Sequence, residues 1–146
     1  MKIMVLNGPN LNLLGVREPA IYGACSYAAL IEMLQAYAAQ HGMELDCRQT
    51  NHEGVLVDWI QQALDGYDGI VINPGAYTHT SIALLDAVRA VGVPTVEVHI
   101  SDTDAREDFR RISYIRAACV HTVKGRGVQG YVEAVQYLEE YIQNRK

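Results

Sequence analysis

Two side chains capable of chemistry lie five residues apart in LLGVREPAIYG, Leu13 to Gly23: the cation of Arg17 and the phenol of Tyr22. Gly15, Pro19 and Gly23 punctuate the stretch, which is too polar for a core and reads as a loop. In EVHIS, Glu97 stands two residues before His99 and shares its face of a strand, a spacing that lets a carboxylate orient an imidazole for acid/base work. A satisfied histidine at a strand end has the same spacing. In NPGAYTHTS, Gly75 permits close backbone approach, and His79, Thr80 and Ser81 are read as opening a helix whose N–H groups could hold an anion. A turn with Thr78 or Thr80 as N-cap accounts for the same residues. Asp86, seven residues beyond His79, comes round to nearly the same helical face. In AREDFRRISY, Arg106 and Arg110 are four apart and can share a face, with Phe109 available for burial; a solvated, ion-paired face is the plainer reading. Asn7, Asn10 and Asn12 suit turns.

The missing patterns narrow the chemistry. NGPNLNLLG lacks the G-x-G-x-x-G spacing, and no G-x-x-x-x-G-K-[ST] occurs. The position that would hold a phosphoacceptor aspartate at the third strand end is Asn73. Lysine occurs only at Lys2, Lys124 and Lys146, at strand or chain margins, which argues against a buried Schiff base. There is no H-E-x-x-H and no carboxylate cluster, so the expected reaction needs neither metal nor cofactor. What remains is proton transfer on a small polar anion.

These residues need elements to position them. With 146 residues, one domain over 1–146 is expected, large enough to fold without disulfides. The three cysteines, Cys25, Cys47 and Cys119, form no C-x-x-C pair and fit a reducing, cytoplasmic setting. No signal peptide is expected, since the apolar run Ile3 to Leu6 ends at Asn7, and nothing approaches the ~20 apolar residues of a membrane span. A net charge of -5 argues against tracking nucleic-acid phosphates. Apolar β-branched runs predict strands over 2–7, 43–49, 69–74, 95–100 and 119–124, alternating with helical patterns over 26–42, 55–66, 80–92 and 128–146. Ser26 is the expected N-cap of the first helix and Gly42 its stop, with the next two helices also ending at glycines. Alternation of this kind builds an α/β, doubly wound parallel sheet, whose ligands lie beyond the carboxyl ends of the strands. Every motif above falls on that rim.

NGPNLNLLGVREPAIYG, RQTNHEGVLVDWI, DGIVINPGAYTHTSIALLDA, PTVEVHIS, REDFRRISY and GRGVQGY, spread almost end to end, closely resemble the type II 3-dehydroquinases. The resemblance implies a flavodoxin-like three-layer sandwich with a five-stranded parallel sheet, assembled as a homo-oligomer, a dodecamer built as a tetramer of trimers. It implies a lyase that removes water from 3-dehydroquinate to give 3-dehydroshikimate through an enolate in the shikimate pathway of aromatic amino-acid biosynthesis, or in the alternative the same step in quinate breakdown. It also implies roles. Tyr22 is similar to the base, Arg17 to its activator, Asn10 to the holder of a water at the enolate, and His99 to the acid, with Glu97 behind it. Asn73, His79 and Arg110 match residues that grip substrate hydroxyls, Ile100 and Ser101 the carboxylate seat, and Asp86 a residue given across a subunit contact. A free phenol is ionised about one part in a thousand at neutral pH, so such a base needs a cation beside it. Arg17, and after it Arg110, are the expected sources, with Gly15 and Gly23 as hinges. The chain departs from the family in Asp102, where asparagine is usual, and in the polar stretch His121 to Arg126.

Overall fold

The apolar runs pair into one all-parallel sheet in the computed structural model, which describes residues 1–146. Its elements are β1 (Lys2–Asn7), α1 (Pro19–Tyr22), α2 (Tyr27–His41), β2 (Glu44–Gln49), α3 (Glu53–Gln62), β3 (Gly69–Asn73), α4 (Ile82–Val91), β4 (Thr95–His99), β5 (His121–Lys124) and α5 (Gln129–Gln143). The strand order is β2-β1-β3-β4-β5, the flavodoxin-like order whose chain reversal falls between β1 and β3. β3 and β4 are buried along their whole length and β1 beyond its first residue, as parallel strands covered on both faces must be.

Side-chain alternation splits the core into two layers. Ile3 and Val5 join Leu30 and Leu34 of α2 and Val135 and Leu138 of α5, while Met4 and Leu6 turn to Leu56 and Ile60 of α3 and Leu84 and Val88 of α4. Each aliphatic side chain buried in this way contributes roughly 1.5–3 kcal/mol. The end signals of α2 act as read: Ser26 Oγ accepts from the Ala29 N–H at 3.1 Å, and Gly42 takes a left-handed φ of 63°. No helix is long and apolar enough to cross a membrane. Burial pushes the thiols of Cys47 and Cys119 up to about 12.

Four local expectations give way. α4 starts at Ile82 with Ser81 as its cap, its Oγ accepting from Leu84 N–H at 3.0 Å, while Thr78 and His79 belong to a separate 3-10 turn, Gly75–His79. His79 and Asp86 therefore share no helix. α3 ends at Gln62, and the chain passes through a further turn before Gly66. β5 begins at His121, because Ile115–Ala118 winds into a 3-10 turn first. The arginine-rich stretch forms two 3-10 turns, Thr103–Ala105 and Asp108–Arg110, in place of one helical face, and Phe109 is 62% exposed.

Candidate active site

The carboxyl ends of β1, β3 and β4 open into one cavity. The loop after β1 passes close against the loop after β3. A Cβ on Gly8 would stand 2.4 Å from the Pro74 carbonyl oxygen, and Gly75, at φ 60°, would place one 3.0 Å from that of Pro9. Only glycine permits this approach, which brings Asn10 and Asn73 to the same wall. Asn10 itself is left-handed at φ 70°, its N–H donating to Asn51 Oδ1 at 3.1 Å. Of the side chains singled out in the sequence, Asn10, Arg17, Tyr22, Asn73, His79 and His99 line the cavity, as do Ile100, Ser101 and Arg110. Glu97 lies directly behind His99. Asp86 is exposed on α4 and does not line the cavity of its own chain.

His99 Nε2 is 2.7 Å from Glu97 Oε2, which leaves Nδ1 as the ring nitrogen without an assigned partner. The Glu97 carboxylate also accepts from Ser113 Oγ at 2.6 Å, Arg116 Nε at 2.8 Å and Thr122 Oγ1 at 3.1 Å. Burial raises its pKa, but the bonds from His99, Arg116 and Ser113 outweigh burial and hold it at about 2. A fixed anion thus backs the imidazole. His79 is set differently. Its Nδ1 lies 2.7 Å from the Ile112 carbonyl oxygen, which can only accept, so Nδ1 carries the proton and Nε2 keeps a lone pair. Burial lowers the pKa of His79, favouring that neutral form.

Tyr22 reaches the cavity from α1, part of a loop that turns at Gly15 (φ 86°), Glu18 (φ 39°) and Gly23 (φ 81°). Its oxygen does not meet Arg17. The Arg17 guanidinium lies over the Tyr22 ring, 4.5 Å from the centroid, while Arg106 Nη1 donates to Tyr22 Oη at 2.8 Å. Arg106 is the functional residue missed as a partner of the phenol. The sequence marks Arg106 only as standing four residues before Arg110 in AREDFRRISY, a spacing silent about Tyr22, and the two arginines do not share one helix. Arg110 is held by Glu107, Nε to Oε2, at 2.8 Å.

Two unpaired backbone N–H groups follow β4 beside these cations. The carbonyls of Ile100 and Ser101 accept from Gly127 and Gly125 N–H at 3.1 Å each, while the N–H groups of Ile100 and Ser101 have no acceptor within the chain. Asp102 caps the following turn, its Oδ1 accepting from Asp104 N–H at 3.1 Å. The polar stretch after it is similarly occupied: Lys124 pairs with Asp104, Arg126 with Glu133, and His121 stacks on Tyr137 with centroids 4.1 Å apart. A wider hollow of about 470 Å³ beside β5 and α5 is lined by these residues, so its cations are already paired and converge on no common point.

An open parallel sheet that gathers a phenol, two imidazoles and three guanidinium groups at its carboxyl rim has the fold and the acid/base groups of an α/β enzyme. A family model described as dehydroquinase class II matches residues 1–139. The 3-dehydroquinate dehydratase of Variovorax paradoxus (strain S110) is 54% identical over 142 residues, covering 94% of this chain and 97% of its own. That of Corynebacterium glutamicum (strain R) is 54% identical over 137 residues, 94% of each chain. Among solved structures, the type II dehydroquinase from Butyrivibrio crossotus DSM 2876 superposes with a TM-score of 0.94 at 48% identity, covering 95% of this chain and 97% of its own. The chain belongs to the class II dehydroquinases.

Proposed function

We propose that this protein dehydrates 3-dehydroquinate to 3-dehydroshikimate through an enolate, as a cytoplasmic enzyme of the shikimate pathway. The observation that carries the reading is a phenol oxygen held by a guanidinium and an imidazole backed by a carboxylate, set in one cavity. Tyr22, with Arg106 on its oxygen and Arg17 over its ring, removes the proton next to the ketone. The electron pair moves onto the carbonyl oxygen, where Asn10 holds a water against the developing charge. The enolate then re-forms the ketone, a carbon–carbon double bond forms, and the C–O bond breaks as His99 gives its proton to the leaving hydroxyl. Water departs, and proton exchange with solvent resets Tyr22 and His99.

Substrate binding divides along the rim. The free N–H groups of Ile100 and Ser101 seat the carboxylate, and Asn73, His79 and Arg110 take the ring hydroxyls. Asp86 acts from a neighbouring subunit in a dodecamer built as a tetramer of trimers. Its exposure on α4 favours this, as does the presence of large apolar side chains more than half exposed, Ile82, Phe109 and Ile112. The test is the rise in enone absorbance when 3-dehydroquinate is added. Saturable binding with no absorbance change would make the site a binding module and end the enzymatic reading.

A further inference from the structure

The closing GRGVQGY motif brings in Tyr131, a side chain with no place in the chemistry above. It is fully buried on α5, outside the cavity lining, and its hydroxyl joins the ends of two strands. Tyr131 Oη donates to Asn7 Oδ1 at 2.7 Å and accepts from Asn73 Nδ2 at 2.9 Å. Asn7 Nδ2 donates in turn to the Arg48 carbonyl at 3.3 Å, and Asn73 Oδ1 accepts from Gly75 N–H at 3.1 Å.

The direction of this chain is fixed at both ends. The Arg48 carbonyl can only accept, so the nitrogen of Asn7 faces it and the oxygen faces Tyr131. Burial raises the pKa of Tyr131, so its hydroxyl keeps one proton at neutral pH, and that proton goes to Asn7. Only the oxygen lone pairs remain for Asn73, which must present its nitrogen. The Gly75 N–H, which can only donate, requires the same orientation from the other side. An inverted Asn73 amide would set its NH2 against the Gly75 N–H and its oxygen against a hydroxyl with no proton left to give. Asn73 is thereby held with one N–H uncommitted in the cavity wall.

We infer that Tyr131 is a positioning residue: through the Asn7–Tyr131–Asn73 chain it locks the Asn73 amide as a hydrogen-bond donor and so selects a ligand bearing an acceptor hydroxyl at that wall. This rests on the functional reading above, in which Asn73 grips a ring hydroxyl of the substrate. Tyr131→Phe keeps the ring and removes the relay. The expected result is a KM for 3-dehydroquinate raised about tenfold with kcat lowered less than about threefold, since a grip common to ground and transition states sets KM. In an Asn73→Ala background the same change should move KM by less than about twofold, the mark of action through Asn73. Unchanged KM in Tyr131→Phe, or KM effects that multiply independently in the double variant, would overturn the inference. Neutron diffraction from crystals of the deuterated wild-type protein decides the polarity with no variant to fold and no substrate. A Tyr131 deuteron aimed at Asn7 supports the lock, and one aimed at Asn73 refutes it. Absence of turnover by the wild-type enzyme would instead remove the functional reading and leave the diffraction result standing.

Discussion

At the scale of single residues, the phenol oxygen of Tyr22 is the proposed base, and two arginines stand against it. Arg106 binds the oxygen and Arg17 covers the ring. Tyr22→Phe is expected to lower kcat by about a thousandfold while the substrate still binds, within the span of general-base effects. Arg17→Ala should remove most turnover as well, and Arg106→Ala should do the same by releasing the oxygen; steady-state kinetics beside binding by calorimetry measure both. Near-normal turnover of Tyr22→Phe would exclude it as the base. His99→Ala should abolish elimination yet preserve part of the proton exchange at the neighbouring carbon, followed by NMR in deuterated water. Equal loss of both would give His99 another role. The place of Tyr22 and His99 on the cavity was legible because each stands beside a local marker, a Gly/Pro loop and a Glu two residues back. Arg106 as partner of Tyr22 was not, since 84 residues separate them and no local spacing encodes the contact. The same holds for Tyr131, whose partners lie 124 and 58 residues away.

At the scale of elements, the Glu97 carboxylate ties β4 to Ser113, to Arg116 in the Ile115–Ala118 turn and to Thr122 on β5. This junction has a pH dependence of definite sign. The folded value of about 2 lies below the ordinary 4.5, so the native state binds that proton more weakly than the unfolded chain does. The stabilisation is complete above pH 4.5 and fades as pH falls towards 2, and is worth on the order of 3 kcal/mol when whole. Thermal melts across that window should lose stability steeply in the wild type and more shallowly in Glu97→Gln, which begins lower at neutral pH. Parallel slopes would deny Glu97 this part. The strands and α2 were readable because burial on both faces demands unbroken apolar runs and because Ser26 and Gly42 close the helix through local bonds. The stretch from Thr103 to Arg110 was not: its spacing permits a helix, and Asp102 caps a start, but the backbone turns extended at Arg106 (φ -99°, ψ -152°) and ends the first short turn.

At the scale of the whole molecule, Asp86 and the apolar side chains of Ile82, Phe109 and Ile112 are exposed, and the proposed assembly would make them part of a subunit contact. Ile82→Arg with Phe109→Glu should yield smaller species in sedimentation velocity, with the helical spectrum retained and turnover reduced. Full activity in a dissociated chain would place the complete site within one subunit. The three thiols offer a way to watch the molecule at work. All three are partly exposed, but burial holds those of Cys47 and Cys119 far from the ionised form that reacts, and Cys25 lies two residues beyond Gly23 with its Sγ 3.4 Å from the Ser26 carbonyl. A maleimide dye should therefore attach at Cys25 alone. It would turn the loop that carries Tyr22 into an optical reporter, its emission changing as ligand enters while the label leaves the sheet untouched.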